Sequence, residues 1–344
     1  MAEKSVAVLA AGANGSCIAA DLIDAGLDVT VIDQWPAHVE AMRRDGLTIR
    51  TKAGARTVAV DAHHLADVCA LDRRFDLVLL ASKAYDAEWL ATFIRPYLAA
   101  DGLLVGVQNG MTAETLARVV GPERTVGCVV ELSSQMFEPA CVTRNTVREK
   151  TWFGVGALDD AGAPRVEEAA AALGHAGRVE IVADVLSAKW MKLVVNAMTM
   201  GLKAVLDATN ADVPGLAGLR GLFLRAGEEA LAAGQVLGYR PVPIFGLSAD
   251  AVDGTNDLLE TLLDKLTRDV GPTAINTVLQ DLRKGRLSEV DLINGLVADT
   301  LAARGLAAPV NAAVVDMARR IHRGAAAPGA GNLEAVKRMA GATA

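Results

Sequence analysis

The sequence predicts an α/β protein, a doubly wound parallel-sheet N-terminal domain followed by an all-helical C-terminal domain. Three observations carry this. A glycine-bearing loop joins a first apolar run to an Ala/Leu/Ile-rich segment, strand-like and helix-like runs alternate as far as residue 183, and apolar residues then recur three and four apart.

Residues 6–9, 29–33, 76–81 and 103–108 read as strands, and 16–25, 37–45, 87–98 and 113–120 as the helices between them. Gly26 stops the first helix, and the unbroken Val/Leu character of 77–80 and 103–107 suits strands buried on both faces. Runs 126–131, 140–146 and 151–155 predict further strands of the same domain, antiparallel ones. Helices are expected over 183–203, 216–234, 257–268, 289–304 and 310–323. Pro241-Val242-Pro243 and Gly271-Pro272 mark turns, and Arg304-Gly305-Leu306 marks a helix stop. The expected division is a nucleotide-binding domain over 1–182, a helical substrate domain over 183–330 and a flexible tail over 331–344, in which 333–339 has the pattern of a short helix.

A chain of 344 residues exceeds the roughly 250–300 at which one core stops growing, so two domains are expected. With 52% hydrophobic but only 4% aromatic residues, the cores must be filled by Ala, Val and Leu. The net charge of −7 and the lack of any basic run longer than a pair argue against nucleic acid and for a small-molecule partner. Cys17, Cys69, Cys128 and Cys141 are scattered, and the five His residues lack metal-ligand spacing, so reduced thiols and no metal are expected. No apolar stretch approaches about 18 residues, so no membrane span is expected. Residues 6–9 read as a first strand rather than part of a signal peptide, which points to a cytoplasmic protein.

The loop Ala10-Ala11-Gly12-Ala13-Asn14-Gly15, with Asp33 closing the second strand eighteen residues after Gly15, is where a dinucleotide would sit. The turn lets backbone approach a pyrophosphate, the helix N-terminus offers N–H groups, and an acid at the end of the second strand receives ribose hydroxyls. Ala10 stands where the first glycine of that fingerprint belongs; a positive φ there would cost Ala roughly 1 kcal/mol more than Gly. Ser82-Lys83-Ala84 places a cation at the carboxyl end of a strand, where ligands bind in open sheets. A solvated loop lysine is the plainer alternative. Val107-Gln108-Asn109-Gly110-Met111 offers Asn109 to a carboxamide or substrate oxygen, against the alternative of an Asn-Gly turn. Lys192, Asn196 and Met200, four apart, form one stripe of a helix, either facing a cleft or simply solvated.

Taken with Lys189-Trp190-Met191-Lys192-Leu193-Val194-Val195-Asn196, Leu279-Gln280-Asp281-Leu282-Arg283 and Glu289-Val290-Asp291-Leu292-Ile293-Asn294-Gly295, these segments resemble the ketopantoate reductase (2-dehydropantoate 2-reductase) family over nearly the whole chain. The resemblance implies a Rossmann-type domain plus an all-helical one. It implies Lys192 as general acid toward a ketone oxygen, with Glu289 as its partner beside the new hydroxyl. Asn109 and Lys83 would position the nicotinamide end and the substrate; Asn196, Asn210 and Thr277, where the family usually has Ser, would hold substrate carboxylate and hydroxyl. Ala10, Gly12, Ala13, Asn14 and Gly15 would take the cofactor backbone.

Two residues depart from the family pattern. Met200 replaces a substrate-contacting Asn, turning a polar contact into an apolar wall. Asp33 stands near where many NADPH-dependent members carry an Arg, so NAD is expected over NADP. The expected function is an NAD(H)-dependent oxidoreductase, with 2-dehydropantoate as the family's default substrate. The alternatives are a catabolic dehydrogenase for a bulkier, more apolar secondary alcohol, and a non-catalytic dinucleotide sensor. A homodimer is the assembly to consider.

Overall fold

Unbroken apolar runs flanked by amphipathic segments can be buried only by covering both faces of a sheet, and the chain does this in its first half. The computed structural model describes residues 4–253 and 257–341. The chain forms two units, Met1–Leu186 and Ser187–Ala344.

The first unit contains β1 (Ser5–Leu9), α1 (Ala13–Asp24), β2 (Asp28–Asp33), α2 (Pro36–Asp45), β3 (Leu47–Thr51), β4 (Gly54–Val58), β5 (Asp61–His64), β6 (Phe75–Leu80), α3 (Ala87–Ile94), β7 (Leu98–Gly106) and α4 (Ala113–Val120). It continues through β8 (Thr125–Glu131), β9 (Ser134–Glu138), β10 (Cys141–Arg144), β11 (Trp152–Ala157), α5 (Val166–Leu173) and β12 (Arg178–Ile181). Eight strands make one sheet in the order β12-β11-β8-β7-β6-β1-β2-β5, and four make a second, β4-β3-β10-β9. Alternate residues of β1 enter different cores. Val6 and Val8 pack with α1, α2 and the second sheet; Ala7 and Leu9 pack with α3 and α4.

β1 pairs in parallel with β2 on one side and β6 on the other, so the strand order reverses direction at β1. In an open parallel sheet the crevice outside the carboxyl ends at such a point is where ligands bind. Of the three later runs expected as antiparallel additions, β11 pairs antiparallel with β8, while the other two depart from the expectation. β8 is parallel to β7 and antiparallel to β11, while β10 belongs to the second sheet, antiparallel to β9 and parallel to β3. A buried ion pair, Arg144 to Asp21 at 2.5 Å, pins α1 to β10.

The second unit is helical. Its elements are α6 (Val185–Val205, entering from the first unit), α7 (Leu219–Val236), α8 (Ala249–Asp253), α9 (Leu258–Val270), α10 (Thr277–Arg283), α11 (Leu296–Ala302), α12 (Pro309–His322) and α13 (Leu333–Met339). Helix α6 lies close against α7 because α7 presents Gly227 and Gly234 to it. A Cβ on Gly227 would stand 2.7 Å from the Met198 side chain, and Gly234 faces the indole of Trp190. That indole donates to the Ala230 carbonyl at 2.9 Å and stacks on Tyr239. At the far end, Leu333 and Val336 of α13 are buried and Asn332 donates to the Val205 carbonyl at 2.8 Å. The segment expected as a flexible tail is thus helical and docked as far as its last described residues.

Candidate active site

Register fixes the geometry of the sheet edge. Leu9 pairs with Ile32 and with Leu80, and Leu80 pairs with Gly106, so four strands end in one row. The ladder continues one residue further: Ala10 N–H donates to Ile32 at 2.8 Å, Ala81 N–H to Leu9 at 2.9 Å, and Val107 N–H to Leu80 at 2.9 Å. The Ala10–Gly15 turn, Asp33, Ser82-Lys83 and Gln108-Asn109 are thereby brought to one edge, as the sequence suggested. Gln108 steadies that edge by donating to Ser82 Oγ at 3.4 Å and accepting from Thr112 Oγ1 at 3.2 Å.

The turn after β1 is tight, with Gly12 N–H donating to the Ala10 carbonyl at 2.8 Å. Ala10 has φ 61°, so the position does demand the left-handed conformation and this chain meets it with alanine. Two side chains hold the next residue. The Ala11 carbonyl accepts from Ser16 Oγ at 2.7 Å and from His38 Nε2 at 3.0 Å. His38 Nδ1 accepts the Ala140 N–H at 2.8 Å, which assigns the ring proton to Nε2. Burial holds this imidazole below its ordinary pKa of 6.5, and nearby Asp33 opposes the shift without reversing it. Asn14 accepts from Ser134 Oγ at 2.6 Å, a second tie from the loop to the smaller sheet.

These residues fit a dinucleotide. A Cβ on Gly12 would meet no protein atom within 4 Å, so that side of the turn is open to a ligand. A Cβ on Gly15 would lie 3.1 Å from both the Ala10 carbonyl oxygen and the Ala81 Cβ, so a larger residue would push α1 back from the strands by a few tenths of an ångström. Among the described residues no side chain caps α1, which leaves its first N–H groups to a phosphate. At the end of β2 the Asp33 carboxylate accepts the Trp35 N–H at 2.8 Å and is held in place.

In the second unit, α6 is the organising element. Lys192, Asn196 and Met200 stand on it, with Asn196 buried. The Lys192 ammonium lies over the ring of Phe245, 4.8 Å from its centroid. Phe245 has φ 59°, uncommon for a bulky side chain, and is itself buried. Thr277 opens α10, whose cap Asn276 donates to the Met200 carbonyl at 3.3 Å. Glu289 is buried just before a π-helical turn, Asp291–Gly295, and Asn294 of that turn donates to the Ala197 carbonyl of α6 at 3.0 Å. Single π turns inside α-helices recur at functional sites.

Asn210 is placed elsewhere. Its Oδ1 accepts from Lys203 Nζ at 2.7 Å and its Nδ2 donates to the Gly271 carbonyl at 2.9 Å, at the opposite end of α6 from Lys192. Sequence reasoning missed Phe245 and Lys203. The signal for Lys203 was available, since eleven residues are close to three helical turns and return it to the face of Lys192. Phe245 gave none beyond the flanking prolines, because its contact comes from a loop.

The pattern of the family described as ketopantoate reductase PanE/ApbA matches residues 6–157, and that of its C-terminal part matches residues 184–322. The chain belongs to the ketopantoate reductase family. A 2-dehydropantoate 2-reductase of Pyrococcus horikoshii is 25% identical over 310 residues, spanning 88% of this chain and 93% of its own. A PanE/ApbA family ketopantoate reductase from Ralstonia eutropha JMP134 superposes with a TM-score of 0.77 at 25% identity, over 93% of this chain and 99% of its own. A D-mandelate dehydrogenase solved with NADH and anilino(oxo)acetate superposes with a TM-score of 0.80 over the same shares, at 19% identity, a likeness of fold. This ketopantoate reductase family member is an oxidoreductase acting on a CH–OH group or its ketone, with a nicotinamide dinucleotide and a small-molecule substrate. Among the described residues no helix is long and apolar enough to cross a membrane.

Proposed function

We propose that this protein is an NAD(H)-dependent oxidoreductase that interconverts a ketone and its secondary alcohol, with Lys192 as the proton donor and acceptor. The observation that carries the nucleotide preference is the Asp33 carboxylate, fixed by Trp35 at the end of β2 in register with the turn after β1. A carboxylate there accepts two ribose hydroxyls and repels a 2′-phosphate. Neither Gln34 nor Trp35 supplies a cation. The nearby Arg43 guanidinium is engaged by the Ala62 carbonyl at 2.8 Å, Glu40 at 2.9 Å and Asp67 at 2.6 Å.

A nicotinamide dinucleotide held at this edge would supply or take the hydride. Negative charge then develops on the carbonyl oxygen, where the Lys192 ammonium both stabilises it and delivers a proton. In oxidation the neutral amine takes that proton back. The Phe245 ring restrains the ammonium by attraction to its face, worth about 0.5–2 kcal/mol depending on desolvation. Asn196, Thr277 and Asn109 are the proposed hydrogen-bonding groups for substrate, Glu289 the partner of Lys192, and Gly12 to Gly15 with Lys83 the proposed cofactor contacts.

For the substrate, 2-dehydropantoate is the first candidate, since it is the substrate in the name of the curated relatives. Met200 favours a second, a bulkier and more apolar secondary alcohol or ketone, because a thioether packs where an amide would hydrogen-bond. NADH oxidation with 2-dehydropantoate, run beside NAD⁺ reduction with a panel of secondary alcohols, separates the two. The nucleotide preference is tested with whichever substrate turns over. A kcat/KM at least tenfold higher with NADH than with NADPH supports the proposal; a tenfold preference for NADPH contradicts it.

A further inference from the structure

The face of α6 that carries Lys192 and Asn196 continues through Thr199 to Lys203, all within roughly 60° of one another around the helix at about 100° per residue. Lys203 is only 6% exposed, and among the described residues its ammonium has a single neutral partner, Asn210 Oδ1 at 2.7 Å. No carboxylate lies within ion-pair distance of it among the described residues. A buried cation held by one amide oxygen is poorly compensated, and an added anion would repair that. Thr199, Lys203 and Asn210 line a cavity of about 380 Å³, whose apolar walls include Val213, Phe223 and Leu263. The other charged groups lining it, Arg220 of α7 and Asp264 of α9, are bonded to each other at 2.9 Å.

We propose that this cavity binds the carboxylate of a small organic acid with an apolar body, Lys203 serving as its counter-ion; Thr199 Oγ1, in the same wall, donates to the Val195 carbonyl at 3.1 Å. The cavity has the size of a small-molecule site, is largely apolar, and offers in Lys203 a cation held by an amide rather than by a carboxylate. Lys203 stands eleven residues from Lys192, roughly 16 Å along the helix, so the anion is held well away from the reacting carbonyl. Two sources present this chemistry, a free acid acting as an effector and the far end of an elongated substrate. Neither requires that Lys192 be the proton donor.

Titration calorimetry of the full chain with hexanoate, with 1-hexanol as the uncharged control, tests the site. The expected result is hexanoate binding that weakens at least tenfold in both Lys203→Met and Lys203→Gln, persists in Lys192→Ala, and exceeds that of 1-hexanol. Wild-type protein labelled with ¹³C at lysine ε-carbons should show one shifted resonance on adding hexanoate, the one missing in Lys203→Met. Inhibition competitive with the ketone identifies the far end of the substrate site, and non-competitive inhibition identifies an effector site. Absence of wild-type binding, equal affinity for 1-hexanol, or affinity unchanged in the Lys203 variants would overturn the proposal. Survival of binding in an inactive Lys192→Ala separates this site from the assignment of the proton donor.

Discussion

The ring of His38 donates to the carbonyl of Ala11 at 3.0 Å, so a residue of α2 sets the backbone of the turn after β1. Because Nδ1 must stay unprotonated to accept the Ala140 N–H, the arrangement needs a neutral imidazole. Burial lowers the folded-state pKa below 6.5, so beneath that pH the unfolded chain binds a proton that the folded chain resists. This contribution is complete above about 6.5 and is lost as pH falls through the folded-state value. Urea midpoints should therefore drop more between pH 7.5 and 5.5 in the wild type than in His38→Gln. Equal slopes would show that the imidazole titrates normally.

Lys203 should impose a pH signature of the same sign in a higher window. Burial lowers its pKa from 10.5 to about 8, so between those values the unfolded chain holds the extra proton and stability rises with pH. Below pH 8 the burial cost is complete, roughly 3 kcal/mol for a shift of this size. Lys203→Met is expected to be more stable than wild type at pH 7, with the advantage shrinking as pH approaches 10.5. Denaturant unfolding of both proteins at pH 7 and pH 10 checks this; a destabilised Lys203→Met at pH 7 would contradict it.

Asp33→Ser removes the charge at the end of β2 while keeping a hydroxyl for the ribose. The ratio of kcat/KM for NADH over NADPH should fall at least tenfold, chiefly through a lower KM for NADPH. An unchanged ratio would move the source of discrimination away from Asp33.

Phe245→Leu keeps an apolar side chain but removes the ring face beneath Lys192. Loss of a cation–π contact of about 0.5–2 kcal/mol corresponds to a fall in kcat of roughly two- to thirtyfold. Steady-state kinetics should show this with cofactor KM little changed. Phe245→Tyr, which retains the π face, should restore most of the rate.

The nucleotide half was legible because its chemistry is local. A strand, a turn and a helix start follow one another within residues 5–24, and Asp33, Lys83 and Asn109 each sit at the end of an apolar run that can only be a buried strand. The smaller sheet was harder to read. β3 and β4 are short, exposed in part and rich in Thr, Arg and Gly, and β3 joins them to β10 more than ninety residues away. In the helical half, the stripe on α6 announced Lys192 and Asn196, but not the loop contact from Phe245. Lys203 closes the expected helix, where the dipole favours a cation, and only tertiary packing buries it. The strain at Ala10 was visible as a missing glycine; that alanine adopts φ 61° required the structure.

Lys192→Ala tests the central claim most directly. Pre-steady-state turnover of a reducible ketone with NADH should fall by at least a hundredfold, while the Kd for NADH, read by fluorescence, stays within about threefold of wild type. Turnover unchanged by the substitution would contradict the assignment of Lys192 as the group that gives and takes the proton.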